Sequence, residues 1–354
     1  MTYPKIVVDV HKIRHNVSLI VEKCENEKID VAGVTKVFCA EKEILEAYGQ
    51  GGVKYLADSR IENLKKMTHM PMKKIMLRLP MPTEVDEIVT YADISLNSEL
   101  KTILALNQAA EKQNIKHQII LMVDLGDLRE GVFDDNELIE LTREILLMNH
   151  IELVGLGTNL TCYGGVIPTG DNLGKLVFLQ HQIQQRFNIK LPLLSGGNSS
   201  SLYLLGENKI PLGINMLRVG EAFVLGRETT HGQLIDGCYD DAFMLEVQLI
   251  EVKEKPSVPI GEIGMDAFGN KPVFKDQGMM IRGIAAIGRQ DMELDGLIPV
   301  DSDIHIVGGS SDHLILDLTN AQKYCVGDII RFKLTYSGLL RTFTSVYIKK
   351  EYLA

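Results

Sequence analysis

Lys36 closes the apolar run VAGVTK. A lysine at the end of such a run is costly to desolvate, and burial lowers its pKa toward nucleophilic use. The plainer alternative is a stem laid along apolar surface with the ammonium kept in water. Farther on, LSGGNSSS (194–201) and NMLRVGEAFVLG (215–226) each lead a strand-like run into a glycine turn. Gly196 and Gly197 permit a tight turn and close approach of the backbone. Asn198, Ser199, Ser200 and Ser201 add hydroxyls and an amide at a helix start, where free N–H groups stabilise a phosphate. RVGEA repeats that arrangement through Gly220 and Glu221. Either stretch alone reads as an ordinary glycine loop with a serine cap. The two together predict a phosphate cup. Arg218 lies inside the apolar NMLRVG and needs an acceptor, which a salt bridge inside the fold would also supply. Arg129, in VDLGDLREGVF, offers a cation to an anionic oxygen or pairs with Asp124 or Asp127.

These residues need a frame. Eight β-type runs alternate with helical patterns: 28–38, 53–59, 73–80, 92–97, 117–126, 151–160, 191–197 and 214–220. Among the helical segments, DDNELIELTREILLMN carries Leu138, Ile139, Leu141, Ile145, Leu146 and Leu147 as one broad apolar face. Its acidic start suits the helix dipole. Eight strands with intervening helices are the count of a (β/α)8 barrel, with a doubly wound open sheet as the alternative. In a barrel the active site lies at the C-terminal ends of the strands, and phosphate often binds after strands seven and eight. Lys36, Arg129 and Arg218 then share one face, and the two glycine turns follow the seventh and eighth runs. Beyond about residue 232 the texture changes to short β runs cut by Gly, Pro and Asp, with no long helical pattern. We therefore expect a barrel over 1–232 and a mostly antiparallel β domain over 233–354. The early run KIVVDV (5–10) is placed to pair with the β domain instead of the barrel.

Bulk properties exclude several functions. The net charge of −10 argues against nucleic-acid binding, which needs a basic face. The five cysteines are scattered without a CxxC pair, so a disulfide framework or zinc site is not expected and a cytoplasmic setting is. Nine histidines form no HxH or HExxH pair, and no metal site is expected. No apolar stretch is long enough for a membrane span, and the N-terminus lacks a signal-peptide core.

The chain resembles the alanine racemase superfamily of fold-type III pyridoxal-phosphate enzymes, most closely its ornithine racemase branch. DVHKIRHNVSLI is similar to the family's opening helix and VAGVTKVFCA to its lysine segment. LSGGNSSSLYLL combined with INMLRVGEAFVLG is the most specific likeness. IRGIAAIGRQDMELDGL and GGSSDHLILDL resemble the same branch in the β domain. The resemblance implies pyridoxal 5'-phosphate as cofactor, carried on Lys36, which also moves one proton at Cα. It implies Arg218 facing the pyridine nitrogen, Arg129 approaching the phenolate and Asn159 where the family usually has a histidine under the ring. It implies a phosphate cup of Asn198, Ser199 and Ser200 with the backbone of Gly220 and Glu221. It implies a head-to-tail homodimer acting on a small amino acid, ornithine first, with alanine, serine or lysine as alternatives. A non-catalytic pyridoxal-phosphate homeostasis protein would share the barrel but leaves the β domain unexplained.

Two departures stand out. VFCAE lacks the family's phosphate-binding tyrosine, and AIGRQDM places Arg289 where the family has its opposing catalytic tyrosine. With a pKa above about 12, an arginine is a poor general acid. Arg289 is expected to bind the substrate carboxylate or to order a second donor, for which Asp291, Cys162, His313 and Tyr336 all stay open. Asp312, in GGSSDHLILD, would suit a distal ammonium, or serves as a turn residue.

Overall fold

The computed structural model describes residues 2–206 and 209–353. They form two compact units. One runs from His11 to Asp240; the other joins the segment up to Val10 with the chain from Asp241 onward. The sequence reading drew its boundary between 232 and 233.

The first unit is a closed barrel of parallel strands. After β1 (Lys5–Asp9), its staves are β2 (Asp30–Val34), β3 (Tyr55–Asp58), β4 (Lys73–Met76), β5 (Ile94–Asn97), β6 (His117–Met122), β7 (Ile151–Thr158), β8 (Leu193–Asn198) and β9 (Met216–Val219). β9 pairs back onto β2, which closes the ring and excludes the open sheet. Alternation builds the interior, because successive strand side chains point to opposite faces. Ala32 and Val34, Tyr55 and Ala57, Ile94 and Leu96, and Ile120 and Met122 form one buried cluster with Val154 and Met216. Arg218 keeps the phase of Met216 on its strand and pairs with the interior Ala32, so it too faces the barrel axis.

Helices wrap the ring: α1 (Val10–Glu25), α2 (Lys42–Gln50), α3 (Ile61–Lys66), α4 (Val85–Tyr91), α5 (Leu100–Lys112), α6 (Asp135–Leu146), α7 (Gly170–Phe187) and α8 (Glu221–Leu225). α6 shows how they are set. Asp134 caps it, accepting from the N–H groups of Asn136 and Glu137 at 2.9 Å each. Leu138, Leu141, Thr142 and Ile145 are buried, at spacings of three and four. The sequence reading had carried this face on to Leu146 and Leu147. Both are exposed: Ile145 is the last residue on the buried face, and the next two positions rotate off it toward solvent.

The second unit is a mostly antiparallel sheet of β10 (Phe243–Pro256), β11 (Met279–Ala285), β12 (Leu297–Pro299), β13 (His305–Gly309), β14 (Leu314–Asp317), β15 (Ile329–Leu334) and β16 (Lys349–Leu353). The order is β12-β15-β10-β11-β14-β13. β1 joins this sheet, antiparallel to β10 and parallel to β16. A helix, α9 (Tyr336–Thr344), interrupts the β pattern. Thr335 caps it, and Leu339, Thr342 and Phe343 bury one face. No helix among the described residues is long and apolar enough to cross a membrane.

Candidate active site

The barrel's C-terminal rim gathers most of the residues singled out above. Lys36 lies two positions beyond the end of β2 and opens a short 3-10 turn, Lys36–Phe38. The residue before it anchors the turn. Thr35 is fully buried, and its hydroxyl donates to Asp58 Oδ2 at 2.6 Å. Asp58 ends β3 and also accepts from the Arg60 N–H at 2.9 Å and Asn63 Nδ2 at 3.1 Å. Burial pushes the Asp58 carboxyl above the usual range, against the pull of these bonds. The sequence reading missed Asp58. Its signal was a carboxylate closing the apolar YLAD at the same rim as Lys36.

Arg218 on β9 is 4% exposed. Its Nη1 donates to Ser195 Oγ, and its Nη2 donates to the Thr158 carbonyl at 2.7 Å. These partners are neutral, so the expected alternative of a salt bridge inside the barrel is not what holds it. Burial lowers its pKa to about 10. Arg129, on the loop after β6, gives Nε and Nη2 to Glu130. It pairs with neither Asp124 nor Asp127, because both carboxylates are taken by backbone. Asp124 accepts from the N–H groups of Gly126 and Leu128 at 2.8 and 3.1 Å. Asp127 accepts from those of Thr161, Tyr163 and Val166 at 3.0, 3.0 and 3.1 Å.

Asn159, just past β7, lies between the two guanidinium groups. Turned toward Arg129, its oxygen accepts from Nη2 at 2.8 Å and Nη1 at 3.3 Å. Turned the other way, it meets Asn198 Nδ2 at 3.0 Å and Arg218 Nη2 at 3.5 Å. The doubly donated, charge-assisted arrangement favours Arg129. Asn198 Nδ2 also donates to the Leu160 carbonyl at 2.9 Å and reaches Cys162 Sγ at 3.4 Å.

The glycine turns make a small polar seat. Gly197 has φ +106°, which steers the chain out of β8 into the 3-10 turn Ser199–Leu204. Asn198 Oδ1 accepts from the Ser200 N–H at 2.8 Å. Ser199 Oγ accepts from the N–H groups of Gly220 and Ala222, both at 3.3 Å. Ser200 is fully buried, and its hydroxyl has no hydrogen-bond partner among the described residues. The same is true of the Thr158 hydroxyl, a second residue the sequence reading passed over. Orphaned buried hydroxyls are uncommon and mark a place for a further polar group. Glu221 stands between the two N–H donors, two positions beyond the end of β9.

Arg289 and Asp312 belong to the other unit, where one loop pair holds both. Arg289 N–H donates to the Ser310 carbonyl at 2.9 Å, and Arg289 Nε to that of Gly309 at 3.0 Å. Gly288 makes this pairing possible: a Cβ there would lie 2.2 Å from the Asp312 nitrogen. Asp312 Oδ1 accepts from His313 Nδ1 at 2.8 Å and from the Ser310 and Ser311 hydroxyls at 3.2 Å each. Of the possible second donors, Asp291 is engaged by the Ser345 hydroxyl at 2.6 Å.

A parallel barrel with a lysine and a polar seat on its C-terminal rim, joined to an antiparallel β unit, defines the architecture of the barrel-type amino-acid racemases. Residues 8–228 match the family model described as alanine racemase, N-terminal domain, and the chain belongs to that family. It is 51% identical over 352 residues to the ornithine racemase of Acetoanaerobium sticklandii, covering 99% of this chain and all of that one. It is 38% identical to the lysine racemase of Thermotoga maritima, over 99% of both chains. Among solved structures, the alanine racemase of Bartonella henselae, described with covalently bound pyridoxal phosphate, superposes with a TM-score of 0.75 at 17% identity, covering 100% of both chains.

Proposed function

We propose that the chain interconverts L- and D-ornithine by proton transfer at Cα, with pyridoxal 5'-phosphate carried on Lys36. The chain is an amino-acid racemase, and the barrel rim supplies the observation that carries the site. A lysine follows the first stave, and a buried serine hydroxyl without a partner follows the seventh, beside two N–H groups after the eighth. These residues fit a phosphate ester, because hydroxyl and N–H donors converge where no protein acceptor uses the Ser200 hydroxyl.

When bound, the cofactor supplies the electron-withdrawing system that makes the substrate's Cα–H acidic. Lys36 removes or returns that proton on one face. Arg218, fixed by Ser195 and the Thr158 carbonyl, would present a cation to the ring nitrogen and disfavour a proton there. Arg129 would offer its charge to the cofactor's phenolate, and Asn159 would help to hold the ring. Asn198, Ser199, Ser200 and the backbone of Gly220 and Glu221 hold the phosphate. Arg289 and Asp312 of a second copy, reaching the site across the head-to-tail homodimer, serve the substrate through its carboxylate and its distal ammonium. A homodimer and a cytoplasmic setting belong to this reading; all five cysteines are free thiols. The lysine racemase relative gives lysine as the second substrate reading.

Single enantiomers of ornithine, lysine, alanine and serine in deuterium oxide test the proposal through Cα exchange. Ornithine is expected to show the highest kcat/KM. A preference for alanine overturns the substrate, and absence of exchange with all four overturns the reaction. Borohydride reduction should fix the cofactor on the peptide containing Lys36, and Lys36→Ala should abolish that adduct.

A further inference from the structure

β2 and β9 are neighbouring parallel staves, paired through Gly33 and Val219. Lys36 and Glu221 each follow their strand by two positions, so a cation and a carboxyl leave the rim side by side. Glu221 is half-buried and accepts no hydrogen bond among the described residues. On either side of it, the Gly220 and Ala222 N–H groups point at Ser199 Oγ, next to the orphaned Ser200 hydroxyl. A carboxyl therefore borders the seat assigned to a phosphate.

We infer that the Glu221 side chain takes up a proton when a phosphate ester fills this seat, so that cofactor binding is coupled to protonation of the enzyme. The inference rests on the cofactor reading above. A phosphate monoester brings about −1.5 to −2 charges near neutrality. An ionised carboxylate beside it would repel it, and protonation removes that repulsion. The groups around Glu221 leave little else to offset the charge. Lys36 on the neighbouring segment is the cation that acts on it. The Ser199–Leu204 turn packed nearby brings hydroxyls, and Arg218 on its own strand is turned to Thr158 and Ser195. Burial already raises the Glu221 pKa to about 7, with Lys36 pulling the other way. An arriving phosphate raises it further. The sign follows: affinity is highest below pH 7 and falls as pH rises from the free-state pKa toward the bound-state one.

Pyridoxamine 5'-phosphate is the probe, since it carries no aldehyde to react with Lys36. Titration calorimetry of the cofactor-free full-length protein near pH 8, in buffers of differing ionisation enthalpy, counts the protons. Wild type should take up about one proton at most, and its affinity should weaken by up to about tenfold per pH unit above 7. Glu221→Gln should take up none through this group and bind with little pH dependence. Unphosphorylated pyridoxamine should show no such uptake in either protein. Equal proton counts in wild type and Glu221→Gln overturn the inference while leaving the cofactor site intact. If the variant does not fold, a wild-type affinity that stays flat from pH 7 to about 9 overturns it alone. Failure of wild type to bind the probe at any pH overturns the cofactor site and this inference together.

Discussion

Ser200 hides its hydroxyl from water without satisfying it, at a cost of about 1–3 kcal/mol that a bound phosphate would remove. Ser200→Ala is therefore expected to weaken pyridoxal 5'-phosphate binding by about 1–3 kcal/mol and to leave unphosphorylated pyridoxal almost unaffected. Equilibrium titration with both compounds separates phosphate recognition from general damage, which would weaken both. Arg289 poses a different question. Its guanidinium lies 5.1 Å from the centre of the Phe268 ring and is anchored on the Gly309 carbonyl. A lysine would keep the charge but lose the planar fork. Arg289→Lys should reduce kcat by about tenfold or more while cofactor absorbance stays unchanged. Unchanged kinetics would remove this loop from substrate handling.

At the scale of the element, β6 begins with a histidine that has no part in the chemistry. His117 is 2% exposed, and its Nε2 meets the Ser95 hydroxyl at 2.8 Å, to which Asn97 Nδ2 donates at 2.9 Å. Burial lowers its pKa to about 4. The unfolded chain protonates this ring at about pH 6.5 and the folded one does not, so the unfolded state binds more protons between those values. Stability from this group is complete above pH 6.5 and is lost as pH falls toward 4, on the order of 3 kcal/mol at most. Urea unfolding at pH 7, 6 and 5 should show that loss, and His117→Gln should flatten it. The strand carrying His117 was legible in the sequence, as were the other staves, because strands buried on both faces leave short apolar runs between helical patterns. Lys36 and Arg218 were legible because a charge inside an apolar run is conspicuous. Asp58 and Thr158 were not, since one polar residue at a strand end reads as the start of a turn. The pairing of Arg129 with its own neighbour Glu130 also escaped, because loop geometry and not spacing decides between Glu130, Asp124 and Asp127. α9 stayed hidden within nine residues, YSGLLRTFT, too few to show a helical period among β runs.

At the scale of the whole molecule, the loop between β10 and β11 leaves Ile260, Met265 and Val273 exposed at 91%, 81% and 96%. Such side chains are commonly covered in an assembly. Sedimentation of the full-length protein is expected to show a homodimer, and an active monomer at assay concentration would defeat that expectation. β1 has another consequence. It pairs in register with β16, Lys5 beside Lys349, and lies against β10 on its other side. On the ribosome this strand emerges long before either neighbour exists. The barrel can close on the nascent chain while β1 waits, its edges available to a holdase or to the wrong strand. β10 and then β16 supply the missing partners, so this sheet is completed late in synthesis. Because the pairing is parallel, Leu353 lies beside Asp9 and not beside Lys5, so a circular permutant would need a linker that runs back the length of the strand before β16 and β1 could be synthesised in succession.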